Sequence, residues 1–576
     1  MFIATIPNRS SPPAVLLRES YREGKQVKSR TLANLTGWPV AKIEALRRVL
    51  RNELLTTPSD AFTIERSLPH GHVAAVLGTL RRIGLETMLS SRRTTERDLV
   101  VAMIVSRVID PRSKLATAQG LQDECATSSL GEVLDVASRD EDALYGAMDW
   151  LLEKQERIEK VLAKKHLQDG TLALFDASST YFEGRTCPLA RIGYSRDGKK
   201  GTLQIVLGLL CNKEGCPVAV RVFEGNTGDP KTFTAQVNTV RDRFGLKRIV
   251  MVGDRGMITD ARIREDLEPH EGLDWITALR APAIQKLAAA GVIQRSLFDQ
   301  KDMGVVTDPA FPGERLVVCR NPLLADERAR KREDLLRATE ISLSRILQAV
   351  QRSRHPLRGQ TRIALKVGKV IDRFKMSKHF KVEITDSTLR FERDETSIAA
   401  EKSLDGIYVI RTNVPEEKLA SEEAVLAYKR LSTVERAFRS LKTVDLRIRP
   451  IHHRLADRVR AHVFLCMLAY YVEWHIRLAL APIVFDDDDK PSAASRRASP
   501  VAPAVRSLRA EAKAQSKRTE DDFPAQSLQG LLRHLATLTK NRVRTQHVNA
   551  PAFEQFTLPT RLQSRAFELL HVSVKL

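Results

Sequence analysis

Two short apolar runs, each ending in an aspartate, constrain this chain more than any other feature. TLALFD occupies 171–176 and RIVMVGD occupies 248–254. A continuous apolar run of this length, rich in branched residues, reads as a strand buried on both faces. Between the two lie further strand-like runs, LQIVLGLLC (203–211) and VAVRVF (218–223), joined by a glycine-containing turn. A helix-like segment, PKTFTAQVNTVRDRFG (230–245), comes next, and WITALR (275–280) follows the second aspartate. Strands that turn directly into one another, then strand–helix alternation, read as the mixed sheet of an α/β fold. In open α/β sheets, sites form where strands emerge. One aspartate in such a place is ordinarily a cap, and DASS could cap the turn after Asp176. Two of them, Asp176 and Asp254, on neighbouring strands point to a shared site.

The 576 residues suggest three or four domains, and the segments divide as follows. Residues 1–165 read as a mostly helical, basic N-terminal region. It opens with a strand–turn–strand at 13–35, and helical patterns follow at 40–55, 71–89, 95–109 and 141–165. Residues 166–282 form the first part of the α/β core. Residues 283–405 break the rhythm and read as a β-rich insertion. They hold a highly charged helix-like stretch (325–351) and the strand-rich FKVEITDSTLRFERD (380–394). The core resumes over 406–482, with GIYVIRT and a strong helix from about 421 to 443. Residues 483–525, low in complexity and without periodicity, read as a flexible linker. Residues 526–576 read as a helical C-terminal segment, with a helix over 527–540.

The formal net charge of +22, at a pI of about 9.8, implies a surface that attracts polyanions, nucleic acid first among them. The six cysteines are scattered without any C-x-x-C. Cys211 and Cys216 flank NKEG with no second Cys or His pair at zinc-finger spacing, so neither structural zinc nor a disulfide framework is expected. Reduced thiols and the absence of a signal-like N-terminus suit a cytoplasmic, nucleoid-associated protein. The most apolar stretch, VFLCMLAYYVEW (463–474), is too short to span a bilayer and reads as a buried helix.

A third acid, Glu435, lies in AYKRLSTVERAFRSLKTVD. Advancing 100° per residue places Tyr428, Leu431, Glu435, Arg439 and Lys442 within an arc of about 80°, beside an apolar face of Val434, Phe438 and Leu441. The plain alternative is a solvated helix with a Glu435–Arg439 ion pair. Three converging carboxylates repel one another unless cations lie between them. Two Mg2+ ions, for which Mn2+ can substitute, would meet that need and support phosphoryl transfer.

This helix resembles the signature Y-x2-R-x3-E-x6-K of a large group of bacterial insertion-sequence DDE transposases. Tyr428, Glu435 and Lys442 occupy matching positions, while Leu431 stands at the Arg position with Arg430 beside it. LFDASSTYFEG around Asp176, FEGNTGDPKTF (223–233), VGDRGMITD around Asp254 and HHRLADRVRAHVFLCMLAYYVEW (452–474) resemble the family in the same order. The resemblance spans about 165–480. It implies an RNase H-like core with Asp176, Asp254 and Glu435 as both catalytic residues and metal ligands. It also implies an insertion between Asp254 and Glu435, nicking and hairpin formation at the ends of a mobile element, and strand transfer into target DNA. The implied partners are double-stranded DNA, as terminal inverted repeats and as target, and a second copy of the chain in a synaptic dimer. Tyr428 and Lys442 would, by the same resemblance, contact the DNA backbone.

Further candidates for backbone contact are Arg430, Arg439 and Arg255. The loop RIGYSRDGKKG (191–201) adds Arg191, Arg196, Lys199 and Lys200, although it reads equally well as a solvated hairpin loop. Recognition of terminal repeats falls to the N-terminal helices. Trp275 sits in an apparent core strand and reads as packed rather than base-holding. His452 and His453 precede a basic helix; adjacent histidines on a helix point apart and make poor joint ligands, so a structural role or DNA contact is expected. A nuclease without strand transfer and a catalytically inactive DNA-binding relative are the alternative readings.

Overall fold

The computed structural model describes residues 1–9, 11–53, 62–298, 301–545 and 551–576. It comprises two compact units, Met1–Pro69 with Leu538–Leu558, and His70–Thr537 with Pro559–Leu576.

In the first unit, β1 (Phe2–Ile6), β2 (Ala14–Glu23) and β3 (Gln26–Asn34) form an antiparallel meander. The β2–β3 turn passes through Gly24 at φ +66°, a conformation that favours glycine. The helix Val40–Leu50 follows; Leu54 and Leu55, the last residues of the expected 40–55 helix, lie outside the described residues. β4 (Phe62–Pro69) pairs antiparallel with Thr539–Thr545, which pairs in turn with Phe553–Phe556. This corrects two expectations. Residues 1–165 are not one helical region, because 1–69 are largely strand and belong to a different unit from the helices that follow. Nor is 526–576 wholly helical. The helix Leu528–Ala536 stops early, and the charged TKNRVRT is held as a strand by pairing with β4, far away in sequence.

The second unit begins with helices Gly71–Arg82, Thr95–Ile109, Glu141–Glu153 and Gln155–His166. Thr94 and Asp140 cap two of them, accepting from the amides of Arg97 (3.2 Å) and Ala143 (2.9 Å). Several of these helices pack on the long helix Ala456–Leu480, which is long and apolar enough to cross a membrane. Its side chains from Val459 to Val472 are almost all buried, so its apolarity is that of a core helix.

The large mixed sheet is built from β5 (Leu172–Tyr181), β6 (Arg191–Ile192), β7 (Leu203–Asn212), β8 (Pro217–Glu224), β9 (Ile249–Val252), β10 (Leu273–Ala278), β11 (Met303–Val306), β12 (Arg315–Arg320) and β15 (Ile407–Thr412). The order is β11-β12-β15-β10-β9-β5-β7-β6, with β8 also on β7. β5, β9 and β10 run parallel to their neighbours in that trio, and the remaining pairings are antiparallel.

The expected β-rich insertion at 283–405 is corrected in extent and character. β11 and β12 belong to the main sheet. The true excursion lies between β12 and β15 and is mostly helical: Pro322–Gln351, Gln360–Phe374, one hairpin of β13 (Phe380–Ile384) and β14 (Leu389–Arg393), then Glu395–Lys402. Leu336, Leu343, Ile346 and Val350 share one helix face and bury it against Ile363 and Val367 of the second helix.

Residues 483–525 are folded rather than a flexible linker. Asp487 accepts from both the amide (2.8 Å) and the hydroxyl (2.7 Å) of Ser507, the cap of helix Leu508–Ser516. Lys513 is buried and donates to the carbonyls of Ala481 (2.6 Å) and Asp486 (2.9 Å), while Lys429 donates to that of Val501 (2.6 Å). Polar, capping-rich composition resembles disorder until such partners are in place.

Candidate active site

Asp176 does not end its strand. β5 continues through the small polar residues ASST to Tyr181, so the carboxylate projects from mid-strand. Asp254 does lie past a strand end, two residues beyond Val252. The parallel register pairs Leu174 with Val252, and each aspartate stands two residues further on. Period-two alternation therefore places both on one face of the sheet, on strands about 4.8 Å apart.

Helix Leu431–Arg439 lies against β5, burying Val434, Ala437 and Phe438 and leaving Glu435 exposed on the adjoining face. The electrostatics of Asp176 register this arrangement. Burial raises its carboxyl to about 7, the negative charges of Glu435 and Asp254 add to the rise, and the Ala177 amide and Arg196 oppose it. The Tyr428 hydroxyl donates to Asp254 Oδ1 at 3.1 Å, and burial together with that carboxylate pushes the phenol above its ordinary range. Among the described residues, no ion pair joins Glu435 to Arg439 or to any other cation.

The helix expected over 421–443 is broken. Ser421–Lys429 ends at Arg430, Leu431–Arg439 follows, and Ser440–Val444 forms a wider π turn. Tyr428 and Glu435 still face the aspartates, and Lys442 reaches β5 two residues beyond Asp176. Its ammonium donates to Ser178 Oγ (2.7 Å), to the Ser179 carbonyl and to Asp197 Oδ1 (3.1 Å). Burial pulls that ammonium below its ordinary value and Asp197 opposes the pull. Lys442 is thus enclosed, whereas Arg430, Arg439 and Arg255 are exposed.

The 191–201 loop is fastened to the same strand. The Arg196 amide donates to Ser179 Oγ at 2.8 Å, and its guanidinium pairs with Asp229 at the start of helix Asp229–Asn238. Asp197 also binds Arg449 at 3.2 Å. Tyr181 carries Lys199 (3.5 Å) and Arg449 (4.3 Å) over its ring, while Arg191 and Lys200 are exposed. Asp197, Asp229 and Arg449 were not singled out by sequence reasoning. The signal for Asp229 was its place in FEGNTGDPKTF; nothing local marks Asp197 as the partner of Lys442.

Trp275 is 4 % exposed in β10, and its indole donates to Glu314 at 3.4 Å. His453 packs on Tyr145 and His462, and burial lowers its imidazole to about 4.

Two protein-family models match the chain. One, described as a transposase DDE domain, covers residues 168–472, more than half of the sequence and all three acids. The other, an N-terminal domain of IS1634 family transposases, covers residues 3–57. No curated protein matches the chain. Among solved structures, a cryo-EM structure of the piggyBac transposase synaptic complex with hairpin DNA aligns at TM-score 0.33 and 9% identity, covering 72% of this chain and 77% of that one.

Proposed function

Because the chain belongs to the DDE transposase family, we propose that it cuts DNA at the ends of a mobile element and joins the freed ends to target DNA at a centre formed by Asp176, Asp254 and Glu435. The observation that supports this reading is that the Asp176 carboxyl feels the negative charges of both Asp254 and Glu435. Asp176 and Asp254 are level on adjacent parallel strands, and Glu435 adds to the field that holds the Asp176 carboxyl near 7.

The donor set suits hard divalent cations. It is all carboxylate oxygen, partly desolvated, and it repels itself in the absence of positive charge. Two Mg2+ ions, or Mn2+ in their place, would supply Lewis-acid stabilisation of the charge that develops on the attacking and leaving oxygens. Asp176 holds its ligand oxygen rigidly because it projects from mid-strand rather than from a loop. Tyr428 orients Asp254 through its hydrogen bond. Lys442 braces Ser178 and the end of β5, and places a positive charge beside the carboxylates. Arg430, Arg439, Arg255 and Arg191, with Arg196, Lys199 and Lys200 of the fastened loop, form a basic margin for the DNA backbone. Water would serve as nucleophile for nicking, the freed 3′-hydroxyl would attack the opposite strand to close a hairpin and release the flanking DNA, water would reopen the hairpin, and the regenerated 3′-hydroxyl would attack target DNA. An RNase H-like core and a dimer that brings two element ends together belong to the same reading, as does recognition of terminal repeats by the N-terminal part of the chain.

The test uses purified chain, a duplex carrying the element's terminal repeats, and Mg2+. End-specific nicks and hairpins are expected, and Asp176→Asn, Asp254→Asn and Glu435→Gln each abolish them while leaving gel-shift binding intact. An active variant among the three removes that residue from the centre. Unspecific degradation by the parent chain would replace this reading with a simple nuclease.

A further inference from the structure

A second cluster of ligand-type side chains lies away from the carboxylates. Among the described residues, the only group of three His, Cys, Asp or Glu side chains whose ligand atoms all lie within 4.8 Å of one another is His166, Cys216 and His475. They come from three distant parts of the second unit. His166 ends the helix Gln155–His166, Cys216 sits in the β7–β8 turn, and His475 lies on the long core helix.

Each is held in place by its neighbours. The Cys216 amide donates to Asn212 Oδ1 at 2.9 Å, and the Asn212 amide donates to the Cys216 carbonyl at 3.0 Å, which closes the turn. The Tyr471 hydroxyl stands 2.9 Å from Nε2 of His166, and its ring packs edge-on against both imidazoles. Such an outer hydrogen bond is what fixes a ligating histidine. His475 Nε2 is buried with no hydrogen-bond partner. An orphaned imidazole nitrogen beside a buried thiol costs free energy unless something binds it.

We propose that His166, Cys216 and His475 form a binding site for a borderline-soft divalent ion, zinc foremost, distinct from the hard-oxygen centre. Nitrogen and sulfur donors select Zn2+ over Mg2+. Bond lengths near 2.0 Å to nitrogen and 2.3 Å to sulfur put tetrahedral ligand atoms roughly 3.5 Å apart, a spacing that atoms within 4.8 Å of one another reach by small side-chain rotations. Binding displaces the Cys216 proton to solvent, leaving thiolate as the ligand. The two histidines are only partly buried, so the ion has a path in. With three protein ligands, the fourth position is left for water. The sequence had offered no zinc-finger spacing around Cys216, and the ligands here come together through tertiary packing instead. The bound ion would tie the helical layer and the core helix to the sheet at the β7–β8 turn.

The test is a Co2+ titration of the full chain after chelator treatment. A thiolate-to-Co2+ charge-transfer band in the near ultraviolet, rising to one equivalent, is the expected result. Only a cysteine ligand yields that band, so Co2+ held by the carboxylates does not mimic it. Cys216→Ser removes the band and His475→Gln weakens Zn2+ competition by at least about tenfold. Asp176→Asn leaves the band intact, which separates this proposal from the reading of the carboxylate centre. A parent chain with no thiolate band overturns the site, and so does a band that survives Cys216→Ser. If Cys216→Ser does not fold, the parent titration and the His475→Gln competition decide the matter.

Discussion

Replacing Asp176 by asparagine should stabilise the metal-free protein while abolishing its activity. In the folded chain the carboxyl is raised from 3.8 to about 7, chiefly by burial and further by Glu435 and Asp254. A rise of that size corresponds to about 4 kcal/mol against the charged form. Asp176 is partly exposed and shares its repulsion with two other acids, so about half of that, ~2 kcal/mol, is the expected gain from a neutral side chain of the same shape. The sign follows from linkage. Below pH 4 the carboxyl is protonated in both folded and unfolded chains and costs nothing. As pH rises from 4 to 7, the unfolded chain ionises first, so the parent loses stability over that window and the loss levels off above 7. The asparagine variant therefore gains most at pH 8 and progressively less toward pH 5. Urea unfolding in chelator, followed by tryptophan fluorescence, reads the difference. Mg2+ should narrow the gap by stabilising only the parent. A variant less stable than the parent at pH 8, or a gain that does not change with pH, would refute the electrostatic reasoning.

Other outcomes follow from single contacts. Tyr428→Phe removes the 3.1 Å hydrogen bond onto Asp254 and should slow cutting about tenfold or more, with DNA affinity little changed in a gel-shift titration. Lys442→Ala strips Ser178, Ser179 and Asp197 of a buried donor and should cost about 3 kcal/mol in urea unfolding, more than Arg439→Ala at its exposed position. Limited trypsin digestion should spare the 483–525 stretch despite its many basic residues, because Asp487, Ser507 and Lys513 hold it folded; early cleavage there would mean those contacts do not hold.

The parts of the fold that could be read from sequence are those whose signal is local. The apolar runs at 171–176 and 248–254 found β5 and β9, and with them Asp176 and Asp254, because burial on both faces demands unbroken hydrophobicity. The helix at 95–109 was bounded to the residue, its cap Thr94 standing just before the periodic pattern. What escaped depends on partners distant in the chain. ASST reads as the end of a strand, yet pairing with β7 carries β5 through it. TKNRVRT falls in the segment read as helical, and it is pairing with β4, distant in sequence, that makes it a strand. The Arg430 break, the enclosure of Lys442 by Asp197 and the meeting of His166, Cys216 and His475 are all tertiary, and no periodicity announces them.

The most direct test of the carboxylate centre is a crystal structure of the chain with a terminal-repeat duplex and Mn2+, with anomalous scattering to place the metal. The account expects two manganese peaks between Asp176, Asp254 and Glu435, each within ligand distance of at least one of those side chains and of the scissile phosphate. Manganese bound elsewhere, or a Glu435 carboxylate turned away from both peaks, would contradict it.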